Sequence, residues 1–421
     1  MAEQKKLCPP AHLGSEISRL RREIGRLSPG RKALIVTLIS LSVWLTWSAV
    51  RRVGHPWADL SNGVYTDHFS HMNTARVFPR VGRDLWRKPI AEQFRTLTDE
   101  EMKLLPDDLQ VGASSTGGVY HVPGWPQSKP LATSWSTNSR LYPPGDLLLV
   151  APIAALYHYT RISFKNTCRL LIAWFVVLAH VSVFCFLLLY FEGRRSGVEW
   201  LGLLFIYSYL MRWTLEGFYD AAAMGPLILS ARYLGQRRGL AALVAYCVAS
   251  FIHFRAFFLA PWSLHALAII AKDRQWRGWR RRDILPVLVG LACGLASLYS
   301  FYLNLPHMRA SWANNPLLEA AAEFNRAMTW TFKVILIGAA AVLVWARAWK
   351  DLLVLLWLSY VLLSLRVFYW WHILVPMTWI AAPARRELVR AVRIAFFVTV
   401  TSLVLKETLA PTWLLQLYRP G

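Results

Sequence analysis

Of 421 residues, 55% are hydrophobic and only 17% are charged, against about 25% charged in an ordinary soluble domain. The apolar residues fall in long runs, such as 170–191 and 394–404, which excludes a soluble globular domain and indicates an all-α polytopic membrane protein. The formal charge of +23 would suggest nucleic acid in a soluble chain, but basic loops kept on the cytoplasmic side account for it here, so no nucleic-acid partner is expected.

In chain order, residues 1–32 form a basic cytoplasmic tail. Ile17, Leu20, Ile24 and Leu27 recur there at helical spacing among Arg19, Arg21, Arg22 and Arg26, as in an amphipathic helix on an anionic leaflet; a disordered basic tail is the alternative. Residues 33–50 form the first transmembrane helix, an uncleaved anchor followed by Arg51 and Arg52. A long outer loop, 51–165, comes next. Its patches of Phe69, Met72, Ala75 and Val77 predict short juxtamembrane helices rather than an independent domain. Within it, the apolar segment 146–159 is expected to be re-entrant or interfacial.

Residues 166–421 form the multi-helix membrane domain. Spans are expected near 170–191, 198–214, 219–234, 239–254, 256–271, 284–303, 330–346, 352–365, 369–383 and 394–411, about 11 transmembrane helices in all. This count places Arg194, Arg195, Arg237, Arg238, the basic run 272–282, Arg347, Lys350 and the run 385–393 on the cytoplasmic side. Were 146–159 to cross fully, that bias would reverse. Cys8, Cys168, Cys185, Cys247 and Cys293 lie in the tail or in and beside apolar spans, so no disulfide framework is expected.

This topology collects polar groups on the outer side. Asp67, His68 and His71 follow the first helix in Tyr65-Thr66-Asp67-His68-Phe69; Tyr142 stands before Pro143-Pro144-Gly145. Glu216 and Asp220 flank an outer turn, and His253 and Arg255 follow a later span. Lys333 lies one turn into a further span, and Arg366 and His372 come last. An ionisable residue at membrane depth is costly, about 2.5–3.5 kcal/mol for Arg or Lys near a helix centre. Acids from the early turns and bases from the later ones suit a site that deprotonates one substrate and holds an anion of the other. Each residue has a plainer alternative: Asp67 or Asp220 as a helix cap, Arg255 and Arg366 as snorkelling anchors, the histidines as structural groups. Asp67 and His71 at i,i+4 spacing are too few for a metal site, so no cofactor is required, though a divalent ion shared by the pair stays open. Walker, Gly-rich dinucleotide, His-Glu-x-x-His and Gly-x-Ser-x-Gly motifs are absent from the sequence.

The pattern resembles the GT-C superfamily of integral-membrane glycosyltransferases, and within it the polyprenyl-phosphate-sugar-dependent branch of bacterial mannosyl- and arabinosyltransferases. Four elements carry the resemblance: Tyr65-Thr66-Asp67-His68-Phe69, Leu141-Tyr142-Pro143-Pro144-Gly145-Asp146, Gly217-Phe218-Tyr219-Asp220 and His253-Phe254-Arg255-Ala256. The resemblance implies inverting transfer of a sugar from a polyprenyl-phosphate donor to a hydroxyl of a glycan, glycolipid or protein. It also implies a site on the outer face of a bacterial inner membrane, with Asp67 in the catalytic role. His68 stands where many relatives have a second acid, and Arg255 where many have Lys. A lipid or solute transporter, or a membrane glycan polymerase or ligase, are the alternatives.

Overall fold

The computed structural model describes residues 23, 25–50, 78, 82–87, 143–160, 162, 164–193, 207, 211, 214, 219–275, 281–313, 316–364, 378–380, 382, 384 and 386–409. Among them there is no β-strand. The α-helices are α1 Pro29–Val50, α2 Pro144–Tyr159, α3 Phe164–Glu192, α4 Asp220–Gly235, α5 Gly239–Ile252, α6 Ala260–Lys272, α7 Arg281–Ala313, α8 Pro316–Trp345, α9 Trp349–Ser364 and α10 Glu387–Leu409. Two 3-10 helices, Gly82–Trp86 and Phe254–Leu259, are also described.

Among the described residues, four helical stretches are long and apolar enough to cross a membrane: Pro29–Ala49, Arg169–Glu192, Phe254–Lys272 and Ile284–Pro306. The burial pattern of α7 shows which solvent suits it. Val287, Gly290, Gly294, Ser297, Ser300 and Asn304 face the bundle, while Leu285, Leu288, Leu295, Leu298 and Tyr302 are exposed. A helix that turns its small and polar stripe inward and its leucines outward is built for lipid. Close approach explains the small residues: a Cβ at Gly290 would come within 3.0 Å of the Val244 side chain, and one at Gly294 within 2.9 Å of Cys247 Sγ. Ser297 Oγ closes this seam, donating to the Ser250 carbonyl at 2.8 Å. The outer helix α1 has the same character, exposing Leu34, Leu38, Ile39 and Val43. Its Ser40 hydroxyl reaches His180 Nε2 of α3 at 2.9 Å.

Cross-helix contacts set the directions of the elements. Ser182 on α3 meets α4 at Ala221 and Gly225, and Glu192 meets it at Arg232, so α3 and α4 run parallel. Glu192 therefore stands at one end of the bundle and Tyr219 at the other. Ser230 Oγ donates to Ala242 O across the antiparallel α4/α5 pair. Arg237 pairs with Asp273, bringing the α4–α5 turn to the end of α6.

The same end holds a clamp between α9 and α10. Arg393 Nε and Nη2 donate to Asp351 Oδ1 at 2.9 and 2.6 Å. Arg393 Nη1 donates to the carbonyls of Trp379 and Ala382, and the Trp379 indole donates to the same Asp351 oxygen. The described basic turns thus gather at one end of the bundle.

One expectation changes. Residues 304–329, read from sequence as an outer loop, continue as helix through Ala313 and again from Pro316. Pro at the first helical position and the run Leu-Leu-Glu-Ala-Ala-Ala-Glu favour that outcome, because helix propensity does not need an apolar stripe. The segment 146–159, expected to be re-entrant or interfacial, lies in the helix Pro144–Tyr159. Trp174 Nε1 donates to Leu149 O at 2.8 Å, and the short link 160–163 makes α2 and α3 an antiparallel hairpin running away from the basic end. The 3-10 helix Gly82–Trp86 of the long loop docks on this hairpin and on α7, burying Leu85 and Trp86 against Leu147 and Leu303. The remainder of the loop and most of the N-terminal tail lie outside the described residues.

Candidate functional site

The site forms where α4 begins and α5 ends. Asp220 is the first residue of α4, and the N-cap position before it belongs to Tyr219. The reading of Asp220 as the helix cap therefore fails. Its side chain turns toward α5 instead. Helix α5 stops at His253, whose backbone is extended at φ −150 and ψ 132. His253 Nδ1 accepts the backbone N–H of Arg255 at 3.1 Å and so starts the 3-10 helix Phe254–Leu259. With Nδ1 used as an acceptor, the ring carries its proton on Nε2. Nε2 lies 3.0 Å from Asp220 Oδ1, and Arg255 Nη1 forms an ion pair with that same oxygen.

Three of the outer residues picked out in the sequence thus meet on one carboxylate oxygen. The side chains of Asp220 and His253 are each 7% exposed and that of Arg255 18%. A buried pair of this kind is retained only if the charges compensate each other. The helix N-terminus adds a further favourable field for Asp220. Tyr219 packs between the His253 ring, at 5.5 Å between centroids, and Phe175 of α3 at 5.8 Å. Phe254, Phe257 and Phe301 form an aromatic wall beside Arg255, with centroids 5.5–5.9 Å apart. Trp357 of α9 fixes that wall by donating its indole N–H to Phe257 O at 2.9 Å.

Helix α4 is held in place by Ser182. Its hydroxyl donates to Ala221 O and accepts Gly225 N–H at 2.8 Å, entering the α4 ladder just before Pro226. Asp220 is therefore set on a helix end pinned to α3. Along α4, Asp220 stands about 18 Å from Arg232 at 1.5 Å per residue, well removed from the basic turns.

The Pro143-Pro144-Gly145 turn reaches the same place. A Cβ on Gly145 would collide with the Phe251 carbonyl oxygen, two residues before His253. Gly145 is needed because α2 begins in direct contact with the end of α5. Gly145→Ala should push the two apart and lower thermal stability in detergent by the equivalent of about 1–3 kcal/mol, as overpacking does. An unchanged midpoint would show that the turn does not brace His253. Beside it, Asp146 is fully buried in the first turn of α2. Asp146 was not among the residues picked out in the sequence; an acid opening an otherwise apolar segment behind a Pro-Pro-Gly turn was the signal available.

Lys333 is placed on α8 with its ammonium 5.1 Å from the Trp330 ring centroid, a cation–π contact. Asp67, His68, His71, Tyr142, Glu216, Arg366 and His372 lie outside the described residues. Among the described residues no group of three or more His, Cys, Asp or Glu side chains could hold a metal ion. No protein-family model matches the chain, and neither does any curated protein or any solved structure.

Proposed function

We propose that the chain is an inverting glycosyltransferase of the GT-C kind, with about eleven spans, in the inner membrane of a bacterium. It moves a sugar from a polyprenyl-phosphate donor to a hydroxyl of a cell-envelope acceptor on the face opposite the basic turns. The observation that carries this reading is the buried Asp220–His253–Arg255 cluster at the end of the bundle away from those turns. Arginine, histidine and a carboxylate are held there on short, braced elements beside an aromatic wall, in a chain whose outer surface suits lipid.

In this mechanism Asp67 takes the proton from the acceptor hydroxyl. The acceptor oxygen attacks the anomeric carbon from the side opposite the phosphate, and the bond from that carbon to the phosphate oxygen breaks. The phosphate leaves with the electron pair, and stabilising it is the larger electrostatic demand. Arg255 suits that role because a guanidinium stays charged and presents five N–H donors in a fixed fork, more than one carboxylate uses. Asp220 is then a positioning residue that aims Arg255, and His253 supports it through the shared oxygen. Arg366, His372, Glu216, His68, His71 and Tyr142 are assigned to substrate binding around this centre; Lys333 is assigned there with them, at the rim.

Arg255→Lys keeps the charge and loses the fork. The variant should insert and fold, while its transfer from a polyprenyl-phosphate sugar falls by about tenfold or more. The unmodified protein should bind that donor and not a nucleotide sugar. Saturable binding of a nucleotide sugar, or movement of the lipid-linked sugar across the membrane with no glycosidic bond formed, would overturn the reading.

A further inference from the structure

Among the described residues, the non-glycine residues with positive φ are Arg237 at 58°, Arg274 at 47° and Arg347 at 51°. All three are arginines, and all three follow helices that end at the basic end of the bundle, α4, α6 and α8. The backbones at Arg237 and Arg347 share a two-bond closing pattern, and Arg274 shows the first of its bonds. Arg237 N–H donates to Leu234 O at 3.1 Å and Arg238 N–H to Tyr233 O at 2.8 Å. Arg347 N–H donates to Val344 O at 2.9 Å and Ala348 N–H to Leu343 O at 2.8 Å, and Arg274 N–H reaches Ala271 O. This is the left-handed helix stop that favours glycine, because an L side chain is strained there. Complementing the helix dipole does not require the strain: Arg232 and Lys272 already do so from the last helical turns of α4 and α6.

The charge balance at this end points outward. Glu192, Asp273, Asp351 and Glu387 each pair with their own arginine. Arg238, Lys272, Arg274, Arg347 and Arg386 are exposed and have no acidic partner among the described residues. The turns are tied together. Gln275 donates to Arg237 O at 2.7 Å and accepts Leu240 N–H at 3.2 Å, and Arg386 donates to Ala346 O. Trp345 and Trp349, on either side of Arg347, are 79% and 61% exposed. Indoles at that exposure mark the level of a lipid headgroup region.

We propose that these turns form a platform for acidic phospholipid headgroups, with Arg274 and Arg347 carried past their helix ends to meet the lipid phosphates. The ligand chemistry is a phosphate monoanion fixed at the membrane surface, in the leaflet opposite the Asp220 site.

The test uses the full chain in nanodiscs of phosphatidylcholine with increasing phosphatidylglycerol. Phosphatidylglycerol retained around the protein is read by native mass spectrometry, and stability by the thermal midpoint. The double variant R274G/R347G relieves the backbone strain, so its midpoint in pure phosphatidylcholine should equal or exceed that of the parent. Its preference for phosphatidylglycerol should fall roughly 10- to 30-fold, as expected for two basic residues at a surface. R274K/R347K should keep the preference. Inorganic phosphate, added instead of the acidic lipid, should leave the midpoint unchanged. An undiminished preference in the glycine variant, a midpoint lowered in phosphatidylcholine, or stabilisation by free phosphate would overturn the proposal.

Discussion

Asp220→Asn should cost the protein both stability and transfer. The substitution preserves size but leaves the Arg255 guanidinium, 18% exposed, without its counter-charge. Breaking a buried ion pair from one side costs about 3–5 kcal/mol, a large part of any domain's margin. The thermal midpoint in detergent should fall accordingly, and turnover should be lost because Arg255 is no longer aimed. Asp220→Asn combined with Arg255→Gln separates the two effects. Removing both charges should recover most of the stability while transfer stays absent. A single variant as stable as the parent would mean that the pair does not hold the ends of α4 and α5 together. Recovery of transfer in the double variant would remove Arg255 from the chemistry.

Asp67→Asn should behave differently. Asp67 is proposed to act on the acceptor proton, so the loss should fall on turnover, by about 10²-fold or more, with donor binding little changed. The thermal midpoint should move little. Near-normal turnover would shift the role of base to another acid, with Glu216 the first to replace. The same assay reads metal use: activity abolished by a chelator and restored by a divalent ion would make Asp67 and His71 ligands instead.

The membrane character of the chain was plain in its sequence because the apolar runs are long, and lipid imposes a composition that water does not tolerate. The basic end was also legible, since arginine and lysine are retained on one side whatever the packing. Helix ends were less so. The 304–329 stretch looked like a loop because its polarity was read as exposure, yet its Ala, Leu and Glu propagate a helix. Three site residues, Asp220, His253 and Arg255, were visible as ionisable groups next to apolar spans. Their convergence on one oxygen was not, because it depends on α4 and α5 being antiparallel with ends in register. Asp146 was missed for a similar reason. It reads as an ordinary first-turn acid, and only the packed fold shows it to be fully buried.

The Asp351–Arg393 clamp bears on how the protein is made. A chain synthesised from its N-terminus delivers Asp351 to the membrane surface first, and Arg393 only after residues 352–392 have followed. Until then the carboxylate has the Trp379 indole as a donor but lacks the charge of the guanidinium. A protein cut short before α10 would keep an acid in a place shaped for an ion pair, a state that favours hydration and opening of that end. Helix α10 therefore acts as a latch of assembly, and a truncated product would carry its defect at the basic end of the bundle.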